Sequence, residues 1–87
     1  MKKLDYVGVP ELGAYFKLGE DLTLTSVPML QDGEMESLDQ EVVVDEIEEE
    51  EAEKFLYYLR ELFGSGKIVF VWDKDSGRLS ISEGSGT

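Results

Sequence analysis

Residues 45–64 read DEIEEEEAEKFLYYLRELFG, and the spacing within this stretch decides the fold. Ala52, Phe55, Leu56, Leu59, Leu62 and Phe63 recur at three- and four-residue intervals, so at about 100° per residue they line one stripe of an α-helix that must face a core. Asp45 stands where an N-cap is expected, Glu48 follows as the acidic member of a capping-box-like pair, and Gly64 stands where a left-handed residue ends a helix. Glu46, Glu48, Glu49, Glu50 and Glu51 crowd the positive end of the helix dipole, while Lys54 and Arg60 come later. A helix of about 18 residues would extend about 27 Å at about 1.5 Å per residue.

Opposite the stripe the predicted helix carries Glu46, Glu50, Glu53 and Glu61, with Tyr57 among them and only Lys54 nearby as a base. Like charges on one helix face cost stability. The face is therefore either a solvated surface built of good helix formers or one kept for a cationic partner.

On the N-terminal side, Ala14–Leu18 and Leu22–Val27 read as two strands joined by Gly19, Glu20 and Asp21, with Pro28 ending the ladder for want of an N–H. Tyr6, Val7 and Val9 are interrupted by Gly8 and Pro10, which predicts an edge or an irregular lead-in. Gln31, Asp32 and Gly33 signal a turn, Glu34–Gln40 a loop, and Glu41–Val44 either a brief strand or an apolar hinge. On the C-terminal side, Lys67–Trp72 points Ile68, Phe70 and Trp72 one way and Val69 and Val71 the other. After a turn at Asp73–Gly77, Arg78–Ser82 returns with Leu79 and Ile81 alternating against Ser80 and Ser82. The expectation is a single α+β domain over residues 1–82, with one helix packed on a four- or five-stranded, mainly antiparallel sheet in the order ββ(β)αββ and a flexible tail over 83–87.

Charge narrows the function more than any motif does. Twenty acids against eight bases give a net charge of −12, which disfavours direct binding to nucleic acid or an anionic membrane. Asp32–Glu53 holds twelve of the acids and no Lys or Arg. No apolar run reaches the roughly 18 residues of a membrane span, and Met1–Pro10 lacks a signal peptide's apolar centre, so a cytoplasmic location is expected. With neither cysteine nor histidine, disulfides, the usual zinc sites and histidine acid–base catalysis are out.

The remaining chemical signals are faint. Asp73, Asp75 and Gly77 match the start of an EF-hand loop, but glycine stands where a third oxygen ligand is needed, Arg78 where the glycine belongs and Gly84 where the final glutamate belongs. Adjacent helical carboxylates at Glu48–Glu51 point in different directions and make no cage. GSGK at Gly64–Lys67 is too short for a phosphate loop and follows a helix instead of preceding one. No catalytic residue, metal or cofactor is predicted. Trp72 reads as core or sheet surface.

Ala14–Glu36, AYFKLGEDLTLTSVPMLQDGEME, resembles short uncharacterised bacterial and phage proteins with an aromatic strand, a proline–methionine pair and an aspartate–glycine turn. The size and acidity of the chain are similar to those of phage-encoded inhibitors of host defence, including DNA-mimic and anti-CRISPR proteins. That likeness is one of character and transfers no individual residue. It implies a protein-binding inhibitor whose carboxylates occupy the nucleic-acid groove of a basic partner. Residues expected to face that partner are Asp32, Glu34, Glu36, Asp39, Glu41, Glu46, Glu49, Glu50, Glu53, Tyr57 and Glu61. The alternative is a structural or assembly module that homodimerises, with acidity serving solubility.

Overall fold

The computed structural model describes residues 6–64 and 68–84. The expected strand start at Lys67, most of the GSGK quartet and the tail from Ser85 lie outside them. Strands β1 (Val7–Val9), β2 (Ala14–Leu18), β3 (Leu24–Pro28) and β4 (Val42–Val43) form an antiparallel sheet in that order; after helix α1 (Glu49–Phe63), β5 (Ile68–Trp72) and β6 (Leu79–Glu83) form a second. The α+β class, with strands before and a hairpin after a single helix, is the one expected; β1 adds a strand ahead of the ββ(β)αββ order, and the strands are divided between two sheets. The chain separates into two compact units, Met1–Val43 and Val44–Thr87. Among the described residues no helix is long and apolar enough to cross a membrane.

In the first unit, β2 is central to the early strands, pairing Phe16 with Val7 on one side and with Ser26 on the other. That register puts Val9, Phe16 and Leu24 on one face of the sheet and Val27 on the other, and all four are buried. The Gly8 interruption does not abolish β1. Tyr15 lies opposite Gly8, and a Cβ at Gly8 would fall 2.8 Å from Tyr15 Cε2, so the missing side chain lets the Tyr15 ring lie across the neighbouring strand. The Tyr15 hydroxyl donates to the Gly33 carbonyl, holding the turn at Gln31–Gly33 against the sheet.

The turn between β2 and β3 is longer than expected. Leu22 adopts a left-handed φ of 65°, its N–H donates to Gly19 O, and the strand starts at Leu24 instead of Leu22. Asp21 accepts from the Thr23 N–H, and this interaction together with the Thr23 hydroxyl holds its carboxyl below the usual range.

In the second unit, α1 packs against β5. Ala52 and Leu59 from the helix, Phe70 and Leu79 from the hairpin, and Ile47 are buried, while Phe55, Leu56, Leu62 and Phe63 are half-buried at the margins of the predicted stripe. The helix begins at Glu49, so Glu48 is the N-cap, without a side-chain hydrogen bond, and Asp45 is not. The reason is competition for backbone. Asp45 O accepts from Leu79 N, Ile47 N donates to Gly77 O, and Glu46 is bridged to Arg78, so residues 45–47 lie extended beside the hairpin. Gly77, at φ +75°, approaches the Ile47 carbonyl so closely that a Cβ would sit 3.4 Å from its oxygen. At the other end Gly64 is right-handed (φ −82°), its N–H donating to Arg60 O, instead of left-handed as expected. β6 runs to Glu83, into the expected tail.

Candidate functional site

Fifteen helical residues make α1 about 22 Å long at about 1.5 Å per residue. Leu59 is fully buried, so its face is fixed toward the hairpin and the opposite face toward water. Glu50, Glu53, Tyr57 and Glu61 occupy that outer face and are all exposed. Among the described residues none of these three carboxylates has a Lys or Arg within 4 Å; the ion pairs are Lys74–Glu49 (3.8 Å), Arg78–Asp45 (3.9 Å) and Arg78–Glu46 (3.5 Å). Tyr57 packs edge-to-face on Tyr58, with ring centroids 5.4 Å apart, which fixes an exposed ring among the carboxylates.

Glu46 does not join this face. It precedes the helix, and its carboxylate is turned to Arg78. The absent capping box and the extended 45–47 backbone are one correction, because a residue paired to a hairpin cannot also start a helical turn.

The five predicted residues of the first unit play several parts. Asp32 accepts from the Glu34 N–H in the turn, Glu34 O accepts from Leu30 N, and Glu36 N donates to Pro28 O, so these three shape a tight loop around the Met29–Met35 bridge. Asp39 lies in a short 3-10 turn, Leu38–Gln40, capped by Ser37. Glu41 accepts a short hydrogen bond from the Tyr6 hydroxyl, and the Lys17 ammonium sits 5.2 Å from the centre of the Tyr6 ring. The Tyr6 and Thr25 hydroxyls hold the Glu41 carboxyl below its ordinary value; the same hydrogen bond raises the Tyr6 hydroxyl. Glu41 thus ties the sheet's segments together as well as carrying charge.

A cleft of about 350 Å³ flanks the start of α1. Ala52, Leu56 and Trp72 supply its apolar lining, and Glu49, Glu50, Glu53 and Lys74 its charged groups. Helical spacing aligns Glu49 with Glu53 and Ala52 with Leu56, so one flank of α1 offers carboxylates beside apolar carbon. The Trp72 indole is fixed by its Nε1–H, which donates to Ile47 O at 3.0 Å. Sequence reasoning reads Trp72 as core or sheet surface, not as part of a site, and does not single out Lys74. The signal for Trp72 is the alternation of β5, which puts it on the helix-facing side with Phe70; Lys74 lies beyond β5 in the hairpin turn, where strand period carries no signal.

Among the described residues no polar or charged side chain is buried, and each carboxylate with a resolved shift moves downward. Neither observation supplies the desolvated, raised carboxyl that general-acid chemistry requires. Asp73 turns its carboxylate onto the Asp75 N–H, which closes the hairpin turn. The arrangement offers fixed negative charge beside apolar and aromatic surface. Comparison with protein-family models, curated proteins and solved structures finds no match to this chain.

Proposed function

We propose that this chain is a non-catalytic protein-binding inhibitor whose negative surface occupies the nucleic-acid groove of a basic partner. The observation that carries the reading is the outer face of α1, where Glu50, Glu53 and Glu61 are exposed and, among the described residues, have no Lys or Arg within 4 Å, Lys54 being the one base on the same face. A solvated helix of 15 residues gains from i,i+4 pairs of opposite charge; on this face only Glu50 and Lys54 have that spacing, they make no ion pair within 4 Å, and neither Glu53 nor Glu61 has a base four residues away. From Glu50 to Glu61 the three carboxylates extend over about 17 Å of axis. Duplex DNA carries about one charge per 1.7 Å of axis, so the face acts as a sparse set of charges aimed at selected cationic side chains. Acids of the first unit's loops, Asp32, Glu34, Glu36 and Asp39, add to the field that attracts the partner.

The test is capture from lysate on the immobilised chain, eluted with rising salt and read by mass spectrometry, alongside the variant Glu50→Lys/Glu53→Lys/Glu61→Lys. The expected result is a basic, nucleic-acid-binding protein that elutes with salt, is displaced by duplex DNA, and is not retained by the variant, whose circular dichroism is unchanged. Equal capture by the charge-reversed variant would sink the reading.

A second reading, self-association, is favoured by the exposed edge strand β4, where Val42 and Val43 are 57% and 58% accessible, and by Val69 and Val71 on the outer face of β5. Sedimentation at two protein concentrations separates the two, because self-association makes the mass concentration-dependent.

A further inference from the structure

We infer that the cleft beside α1 receives a single arginine side chain from a basic protein segment; this rests on the reading that the partner is basic and names the group it inserts. The cleft's volume, about 350 Å³, lies at the small end for ligand pockets, a size suited to one long side chain. Its chemistry is divided. Leu56 and Trp72 offer carbon surface to an aliphatic stem, while Glu49, Glu50 and Glu53 offer carboxylates to a charged head.

The charge balance excludes an anion: three carboxylates face one ammonium, that of Lys74, which lies 3.8 Å from Glu49 with both side chains largely exposed. Glu49 and Glu53, one helical turn apart, repel each other, and Glu53 has no base within 4 Å among the described residues. A metal ion is a poor fit, because among the described residues no three carboxylates converge to hold one. Of the organic cations, a lysine ammonium would only duplicate Lys74. A guanidinium differs: it is planar and weakly hydrated, stacks on aromatic rings, and can present its fork of donors to carboxylates. The Trp72 indole suits such a group because its own N–H is already used on Ile47 O, leaving carbon as its free surface.

Trp72 is the chain's single tryptophan, so its emission reports on this cleft directly. The probe is a blocked octapeptide of alternating glycine and arginine, compared with its lysine counterpart at low salt and followed by Trp72 fluorescence and by calorimetry. The arginine peptide should change the emission saturably and bind more tightly than the lysine peptide, by at most about two- to fivefold, because either cation can lie over the ring but only the guanidinium also stacks flat and presents a fork to the carboxylates. Glu53→Gln should weaken it by about two- to fivefold and Lys74→Gln, which removes the competing cation, should strengthen it, as expected of exposed ion pairs. Calorimetric binding with unchanged Trp72 emission would overturn the cleft assignment while leaving the acidic-face reading intact. Equal affinity for the two peptides would overturn the choice of arginine. Neither heat nor a change of emission with either peptide at low salt would remove both the cleft and the basic-partner reading.

Discussion

Glu41 shows how a carboxylate can hold the fold together and still count toward surface charge. Its position in the acidic block made it a candidate for partner contact, yet the Tyr6 hydroxyl donates to it from a residue 35 positions away. That contact was not legible in the sequence, since nothing local to Tyr6 announces a partner so distant. The strand register explains it: Tyr6 continues the row of Lys17 and Thr25 across the sheet, and Glu41 arrives just before β4. The pair also gives stability a defined pH dependence. Glu41's carboxyl is lowered from 4.5, first by the Tyr6 hydrogen bond, so its contribution is present above 4.5 and is lost as pH falls through the lowered value. The Tyr6 hydroxyl is raised from 10.0, first by the bond to Glu41 and then by burial, so its contribution is present below 10.0 and is lost as pH rises through the raised value. Tyr6→Phe should therefore lower the thermal midpoint at pH 7, and the gap from the parent should close as the solution is acidified below 4.5. A gap that is constant from pH 7 to pH 3 would mean that ring packing on Lys17, not the hydrogen bond, sets the effect.

At the scale of elements, what was legible followed from local pattern, and what was not came from pairing at a distance. The apolar stripe of α1 and the alternation in β5 and β6 were legible because one buried face imposes a fixed period on sequence. Ala52, Leu59, Phe70 and Leu79 are buried as that period requires. The start of the helix is not legible, because Asp45 and Glu48 mimic a capping box, whereas the backbone of Asp45 and Ile47 is engaged with Leu79 and Gly77. Likewise the left-handed Leu22 delays β3, although leucine gives no signal for positive φ. The corrected cap has a consequence. Glu48 has extended backbone (φ −71°, ψ 146°) but makes no side-chain bond to the helix's free N–H groups. Glu48→Ser supplies a short oxygen at that position, which caps typically turn into about 1 kcal/mol of stability. Urea unfolding should show a higher midpoint at unchanged slope; no gain would mean that the first turn is not capped through residue 48.

Across the whole molecule, a net charge of −12 acts on folding and on recognition with opposite consequences under salt. Folding gathers the carboxylates into a smaller volume, and the three ion pairs found among the described residues are exposed and individually weak. Repulsion among the unpaired acids is therefore a net cost to the folded state. Raising ionic strength from 0.1 to 1 M shortens the Debye length from about 10 to about 3 Å and screens that repulsion. If the gain is about 1 kcal/mol, the thermal midpoint of a chain this size should rise by about 4–8 °C. The same screening weakens attraction to a basic groove, so affinity for the captured partner should fall over the range in which the chain becomes more stable. Paired melts and binding titrations in sodium chloride test this directly. If stability and affinity fell together, salt would be breaking ion pairs that hold the fold, and loss of binding could no longer be assigned to the acidic face. If stability rose while affinity held, the contact would be apolar, and the exposed valines of β4 and β5 would be its natural seat.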